Sequence, residues 1–597
     1  MVKTWSFNTT IRNPERMENM LRALAELEGR NFDQDGQEAF FGLQIKKRLY
    51  KPERRTLGEQ DLIDAVYAED TADDLEDGIV QRILDKYRGD VDAAGRGRTA
   101  AGVLNRFGLC AALQSKGAVV ITDLAKKWLK HEISDEELFT KFFLKWQYPN
   151  EIEAGYGDYN IRPFVGTLKL ISLVNKKWAE RGKTPVGLSK LEFQLFAPAL
   201  IKEDQIEDYA NRIIAFRTEK ESKSGKDKTD FINEYSIARA QEIFGAGKKI
   251  ETALGDLKDY TDSSLRYFRV SGLIALRGGD THIDIAKDKE VEVRAIIENI
   301  PATARGFASY EEYFDYLNNT EAVPLPWQNE GDLVQITENL SEVLKQEAGE
   351  ENVAEYLSKI QSLTSSGKVE SLEAKLNEVR IKKLKDLRYN IDALNECIGR
   401  LETIMSRGYE TLTARPSLDF EWYTSRALMV LNDATDIAPS YTIGDDGIPI
   451  GFRSNISDIE CYYESFGMTV ETTLLLGRDQ WYAEGQPVMR HHRDFEERSG
   501  FEKTFCIFVA PFVHRDTLNT FWGSNTAGYE GKRQIIIPLS LEQFVAVLKI
   551  ARDKIASGGL SHTELLSLLQ NFADKIADFN NPSDWITAFP GLIEAWA

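Results

Sequence analysis

The chain has 597 residues, 42% of them hydrophobic, enough for roughly three or four domains of about 150 residues, each with its own core. Its four cysteines, Cys110, Cys397, Cys461 and Cys506, are widely spaced and mostly set in apolar runs, a pattern that suggests neither a disulfide framework nor a zinc site. No apolar window approaches the roughly 18 residues of a membrane helix and the N-terminus lacks the apolar core of a signal peptide, so a soluble cytoplasmic protein is expected.

The formal net charge of −21 runs against DNA binding, because Lys and Arg neutralise phosphate. The sum conceals an asymmetry. Residues 101–250 carry 24 Lys/Arg against 20 Asp/Glu, whereas residues 301–500 carry 19 against 35. A nucleic-acid-reading front half and an acidic second half fit that distribution, although charge also varies along any solvated surface.

Residues 1–100 read as a mostly helical N-terminal recognition subdomain. Asn13-Pro14 can start a helix running toward Gly29, with Arg12 and Arg16 flanking the start. These arginines could meet phosphates at the helix N-terminus, though a solvated helix end is the plainer explanation.

Residues 101–300 read as two tandem winged-helix-like DNA-recognition modules. RFGLCAALQSKGAVVITDLAKKWL from Arg106 and RYFRVSGLIALRGGDTHIDIAKDKEVEVRAII from Arg266 share one order: helix end, Gly turn, alternating strand, new helix. Between them two amphipathic helices are predicted, with Ser189 as an N-cap, and the polar run Arg217–Asp230 is expected as a flexible loop. Candidate DNA contacts are Arg12, Lys145, Trp146, Gln147, Arg266, Tyr267 and Arg269, since interleaved Arg, aromatic and amide side chains suit phosphate and base edges. Winged helices also serve as protein contacts or spacers.

Residues 301–415 follow as a helical linker. Glu-, Lys- and Leu-rich segments broken at Ser365-Ser366-Gly367 predict two long helices folded as a hairpin, either a spacer or a short dimerising coiled coil.

Residues 416–597 predict an α/β domain. SLDFEWYTSRALMVL is a helix with Glu421 near its start, and Asn455–Glu471 reads as a β-hairpin about a Ser-Phe-Gly turn. Near-diagonal partners on one face of such a hairpin lie about 7–8 Å apart, so Asp458 and Glu471 could share a cation. Glu484 and His491 fall around the start of another helix marked by Pro487, ahead of the fully apolar strand FCIFVAPFV and the strand and helix of QIIIPLSLEQFVAVLKIARDKI. An ordinary Asp and Glu on solvent-facing strands would give the same local pattern.

This order resembles the PD-(D/E)xK nuclease core, and the wording resembles more closely the AlwI-type type IIS restriction endonucleases with their BstNBI-like nicking relatives. The resemblance is carried by DFEW at Asp419–Trp422, SDIECYYESFGMTVETT at Ser457–Thr473 and QPVMRH at Gln486–His491. FCIFVAP, IIPLSLEQF, KWQYP at Lys145–Pro149 and RYFRVSGL at Arg266–Leu273 extend it over most of the chain. It implies a multidomain α+β protein: a helical, winged-helix-like DNA-recognition half, a helical linker, and a C-terminal α/β PD-(D/E)xK-like nuclease domain. Catalytic residues would be Asp458, Glu471, Glu421, Glu484 and His491, with Asp458, Glu471 and Glu421 holding Mg²⁺. Ser457 stands where the motif often has Pro, and Glu471-Thr472-Thr473 lacks the motif's Lys, which leaves the water-activating residue open.

The function so implied is Mg²⁺-dependent endonuclease activity of type IIS character on double-stranded DNA, with strand-specific nicking as one form. Double-strand cleavage would then need a second nuclease subunit or a transient homodimer. The alternatives are a non-catalytic winged-helix DNA-binding regulator and a scaffold organised by the helical hairpin.

Overall fold

The computed structural model describes residues 4–6, 11, 13–67, 74–90, 92–245, 247–277, 282–325, 327–384, 387–405, 415–431, 434–451 and 456–597. The chain forms two compact units. One comprises residues 1–36, 98–379 and 443–450, the other 37–97, 380–442 and 451–597. Both are built from distant stretches, so the structure divides the chain differently from four consecutive domains.

The first unit is mainly helical. The two predicted hairpins are present: Cys110–Ala111 pairs antiparallel with Val120–Ile121 after helix Ala93–Arg106, and Ile274–Arg277 with His282–Ile285 after helix Ile250–Val270. Leu188–Ser189 adds a third strand to the second hairpin. Ser189 caps the following helix as expected, and does so in a capping box with Glu192. Glu192 also receives the Arg217 guanidinium at 2.6 Å in a buried ion pair. That anchor corrects the expected loop: Arg217–Asp230 is two helices, Gln205–Glu221 and Gly225–Phe244, joined by a short turn. A polar composition marks a solvated helix face as readily as a loop.

The segments expected as a two-helix hairpin form four helices: Glu330–Ala348, Glu350–Lys359 and Ser365–Leu384 in this unit, and Ile391–Met405 in the other. Gly349, at φ +88°, makes one additional break. Ile336, Leu340, Leu344, Val353, Leu372 and Leu376 form a shared core with Val291, so the first three helices pack as part of a globular unit.

The second unit contains a five-stranded sheet. Its elements are α1 (Ile391–Met405), α2 (Pro416–Leu431), β1 (Asp436–Pro439), β2 (Ile459–Tyr462), β3 (Gly467–Thr472), α3 (Gly477–Ser499), β4 (Thr504–Ala510), α4 (Arg515–Thr526), β5 (Ile536–Ser540), α5 (Leu541–Ser557) and α6 (His562–Lys575). The strand order is β5-β4-β3-β2-β1. The pairs β3–β4 and β4–β5 are parallel, whereas β1–β2 and β2–β3 are antiparallel. Every residue of β4 is buried, as expected for a strand covered on both faces.

The two sheet faces differ in chemistry. Met468, Ile507, Ile537 and Leu539 meet Leu428 of α2, Phe544 and Leu548 of α5 and Leu568 of α6 around a small apolar cavity. On the opposite face α3 meets the polar positions of β2 and β3: Thr469 bonds His492 at 2.9 Å and Glu460 receives Arg498 at 2.5 Å. Gly467 admits the C-terminal part of this layer, since a Cβ there would lie 2.6 Å from Phe501 and 2.8 Å from Phe495.

Residues 37–97 complete the unit with a helical cluster around Phe41, Ile45, Leu62, Ile83 and Tyr87. Lys47 reaches both carboxylate oxygens of Asp479 on α3 at 3.1 Å. α1 contributes Leu394, Cys397, Ile398, Leu401 and Ile404 to the core, so the folded unit includes chain well before residue 416. Among the described residues no helix is long and apolar enough to cross a membrane.

Candidate active site

One end of the sheet gathers the predicted acids. Asp458 immediately precedes β2, and extending the β2–β3 register from Ile459–Val470 places it directly opposite Glu471, replacing the expected diagonal. Its Oδ2 accepts the Thr472 backbone N–H at 2.7 Å and the Thr472 hydroxyl at 3.0 Å. The strand pair therefore fixes the carboxylate's direction.

Glu421 reaches the same end from α2. Its Oε1 accepts the Ser440 hydroxyl at 2.9 Å. Its Oε2 is buried with no hydrogen-bond partner among the described residues. Glu471 is buried on β3, with Oε1 3.2 Å from His491 Nδ1.

Glu484 and His491 both belong to α3, which begins at Gly477 and carries Pro487 in its interior. The expected helix start near Pro487 is thus corrected. Proline lacks the N–H for one backbone bond, but the helix continues through the packing of Val488, His492 and Phe495. Seven residues apart, Glu484 and His491 lie two turns from each other on one helix face. Thr473, at the place where the motif's Lys would stand, acts on Glu484 and tends to lower its pKa.

Burial and mutual repulsion dominate the electrostatics. Burial, then the negative charge of Asp458, hold the Glu421 and Glu471 carboxyls well above the usual range, against the opposing Ser440 bond to Glu421. Asp458 is also raised by burial, and Thr472 pulls it back. Burial followed by Asp458 pushes Glu484 up to about 8. Burial, then neighbouring Arg490, lowers the His491 pKa. His492, bonded to Thr469, is pushed down to about 3 by burial and is a neutral support for α3. Perturbed carboxyls concentrated at one sheet end mark a chemical site.

The donor chemistry fits a hard divalent cation: oxygen ligands with uncompensated charge, and one buried carboxylate oxygen without a bond. The fit lies in this chemistry, since among the described residues no group of three His, Cys, Asp or Glu is already arranged as a metal cage. Mg²⁺ takes one or two protein carboxylates and completes its shell from water and phosphate.

Periodicity could not reveal Ser440 and Thr472, which orient Glu421 and Asp458; the Thr-Thr pair in the Lys-less motif is the one signal for Thr472.

The proposed DNA contacts are placed very differently. Lys145 is buried and donates to the carbonyls of Leu317 and Asn319. Trp146 is fully buried, edge-on to Trp5 at 5.8 Å, and Gln147 is buried with its amide on Arg305. Tyr267 donates to Ile11 O at 2.8 Å from the interior, and Arg269 is buried against Asp446. These five side chains serve internal packing, correcting the expectation of a surface contact. Aromatic and long polar residues can fill such roles when their polar tips find partners. Arg266 is half-buried and bonded to Asp262 and Asn13. Arg12 lies outside the described residues.

A mixed sheet with buried acids from α2, β2, β3 and α3 meeting at one end makes this α/β unit the candidate catalytic one. The AlwI restriction endonuclease family model matches residues 105–547, most of the chain. The chain belongs to this family and is a restriction endonuclease, a site-specific deoxyribonuclease. Among solved structures, it is similar to the small subunit (R.BspD6I2) of the heterodimeric restriction endonuclease R.BspD6I, at 22% identity over 34% of this chain and 98% of that one, with a TM-score of 0.28. It is also similar to restriction endonuclease FokI at 12% identity, over 96% and 99% of the two chains, with a TM-score of 0.23. No curated protein sequence matches the chain.

Proposed function

We propose that the protein is a Mg²⁺-dependent endonuclease of type IIS character, which reads a short asymmetric duplex site and hydrolyses a phosphodiester a few base pairs outside it. The observation that carries this reading is the meeting of Asp458, Glu471, Glu421 and Glu484 with His491 at one sheet end. Packing alone has no use for this repulsion.

Asp458, Glu471 and Glu421 would hold the cation. When bound, Mg²⁺ would supply charge stabilisation at phosphate and a more acidic water. Thr472 holds Asp458 in direction, and Ser440 does the same for Glu421. Glu484 takes the place left by the absent Lys and, in its ionised form, accepts a proton from the attacking water. His491, kept neutral by burial, orients Glu471 and can pass a proton or contact phosphate. One such centre cuts one strand per visit, so strand-specific nicking is the basal activity and double-strand cleavage recruits a second nuclease subunit or a transient homodimer. The helix–hairpin modules of residues 101–300 would supply the reading surface in a winged-helix manner.

Supercoiled plasmid incubated with protein, with and without Mg²⁺, tests the reading when ends are mapped on each strand. Offset cuts at a fixed distance from one sequence are expected. Cleavage without Mg²⁺, or ends unrelated to sequence, would refute it.

A further inference from the structure

The basic excess of residues 101–250 is local. Residues 176–190 carry five Lys/Arg against one Asp/Glu, and residues 217–228 carry five against three. Without these two segments the same stretch holds 14 Lys/Arg against 16 Asp/Glu. Distant in sequence, the segments belong to one compact unit and meet within it.

Arg181 donates to the Thr218 hydroxyl at 3.1 Å, and Lys183 lies 3.3 Å from Glu221. Arg217 fastens the junction from within: its buried guanidinium donates to Gly187 O at 2.8 Å as well as to Glu192, and lies 5.1 Å from the centre of the Trp178 ring. Gly187 has φ +68°, and a Cβ there would lie 2.0 Å from Ile283 O, so the turn after helix Pro163–Ala179 closes directly against strand His282–Ile285. The second segment is helical on both sides of its turn at 222–224. Both segments therefore present their charges from fixed backbone.

Lys176, Arg181, Lys226 and Lys228 are exposed, and among the described residues none of the four enters an ion pair. Lys183 is 54% exposed and Glu221 47%, and a pair so open to water contributes little, which leaves this ammonium available to another anion. Crowded like charges repel each other unless a partner supplies counter-charge. The helices downstream of the two hairpins offer nothing comparable. Asp135–Lys145 opens on Asp135, Glu136 and Glu137, and Glu290–Asn299 on Glu290 and Glu292.

We propose that the lobe where residues 176–190 meet 217–228 is a phosphate-binding surface for duplex DNA, contacting the backbone through Lys176, Arg181, Lys183, Lys226 and Lys228. Phosphate is the same at every base pair, so these contacts hold and orient the duplex without reading it. Base recognition is left to neighbouring elements of the unit.

This inference rests on residues 101–300 holding the DNA, and the test separates the two ideas. Affinity of the full chain for a linear duplex of arbitrary sequence, without divalent cation, is measured between about 50 and 200 mM salt. In the triple variant Lys176→Gln, Lys226→Gln, Lys228→Gln, three lost phosphate contacts should make the plot of log affinity against log salt shallower by about 2.7. Affinity at the low-salt end should fall at least about tenfold, with the thermal midpoint unchanged. Arginine at the same three positions should restore both slope and affinity. The control triple Lys127→Gln, Lys130→Gln, Lys249→Gln removes the same charge from exposed sites of the same unit and should keep the wild-type slope. An unchanged slope in the first triple overturns the inference, as does an equal loss in the control or a failure of arginine to restore binding. Those results leave the underlying reading standing, whereas wild-type protein with no duplex affinity overturns both.

Discussion

Thr472 donates twice to one oxygen of Asp458, from its backbone N–H at 2.7 Å and its hydroxyl at 3.0 Å. The backbone bond survives any side-chain change, so Thr472→Val isolates the hydroxyl. A bond to a charged group contributes about 1.5–3 kcal/mol. Thr472→Val should therefore lower the cleavage rate by about ten- to a hundredfold with little effect on DNA affinity, measured by single-turnover kinetics and binding. An unchanged rate would mean that the backbone bond alone orients Asp458.

The carboxylate pair itself is tested by Asp458→Asn and Glu471→Gln. Both keep side-chain shape and relieve the repulsion that raises Glu471 and Glu421. Thermal midpoints should hold or rise while cleavage falls by orders of magnitude, since charge stabilisation at a metal contributes several kcal/mol. Specific binding should persist. A variant that unfolds would return Asp458 to a structural strand role.

Glu484 offers a pH test in metal-free protein. Its folded pKa, near 8, exceeds the unfolded value of about 4.3, so the folded state holds the extra proton between these limits. This contribution to stability is present in full below about 4.3 and is lost as pH rises through 8. Glu484→Gln should thus become progressively more stable than wild type from pH 5 to 8, read from denaturant midpoints. Parallel curves for the two proteins would refute the raised pKa.

Lys145 has the opposite sign. Burial pushes it down to about 7, below the unfolded value of about 10.4, so the unfolded state binds the extra proton between them and stability rises with pH in that window. Lys145→Met should remove this rise. It should also leave the salt dependence of DNA binding intact, whereas loss of a phosphate contact would reduce the slope by about one. A reduced slope would restore Lys145 to the DNA surface.

The extent of the catalytic unit is tested by truncation. A fragment starting at residue 416 loses α1, whose Leu394, Cys397, Leu401 and Ile404 are at most 4% exposed. Each fully buried aliphatic side chain contributes about 1.5–3 kcal/mol. Residues 416–597 should melt without cooperativity or resist proteolysis poorly, compared with a chain retaining 37–97 and 380–597. A cooperative melt of the short fragment would show that α1 is dispensable.

Local pattern determined much of this protein in advance. Alternation and turn residues placed β2, β3 and the two hairpins of the first unit, and Ser189 announced its N-cap, because period-two burial and capping act over a few residues. The order of motifs pointed to the restriction endonuclease family, and the five acidic and imidazole side chains could be named from it. Tertiary structure decided the rest. Burial of Lys145, Trp146, Gln147, Tyr267 and Arg269 depends on partners such as Asn319, Trp5, Arg305, Ile11 and Asp446, and no window contains both members of those pairs. The same holds for Ser440 on Glu421 and for Lys47 on Asp479, 432 residues away. Charge and polarity in a sequence show what a side chain can bond; which partner it meets, and whether water is excluded, follows only once the chain has packed.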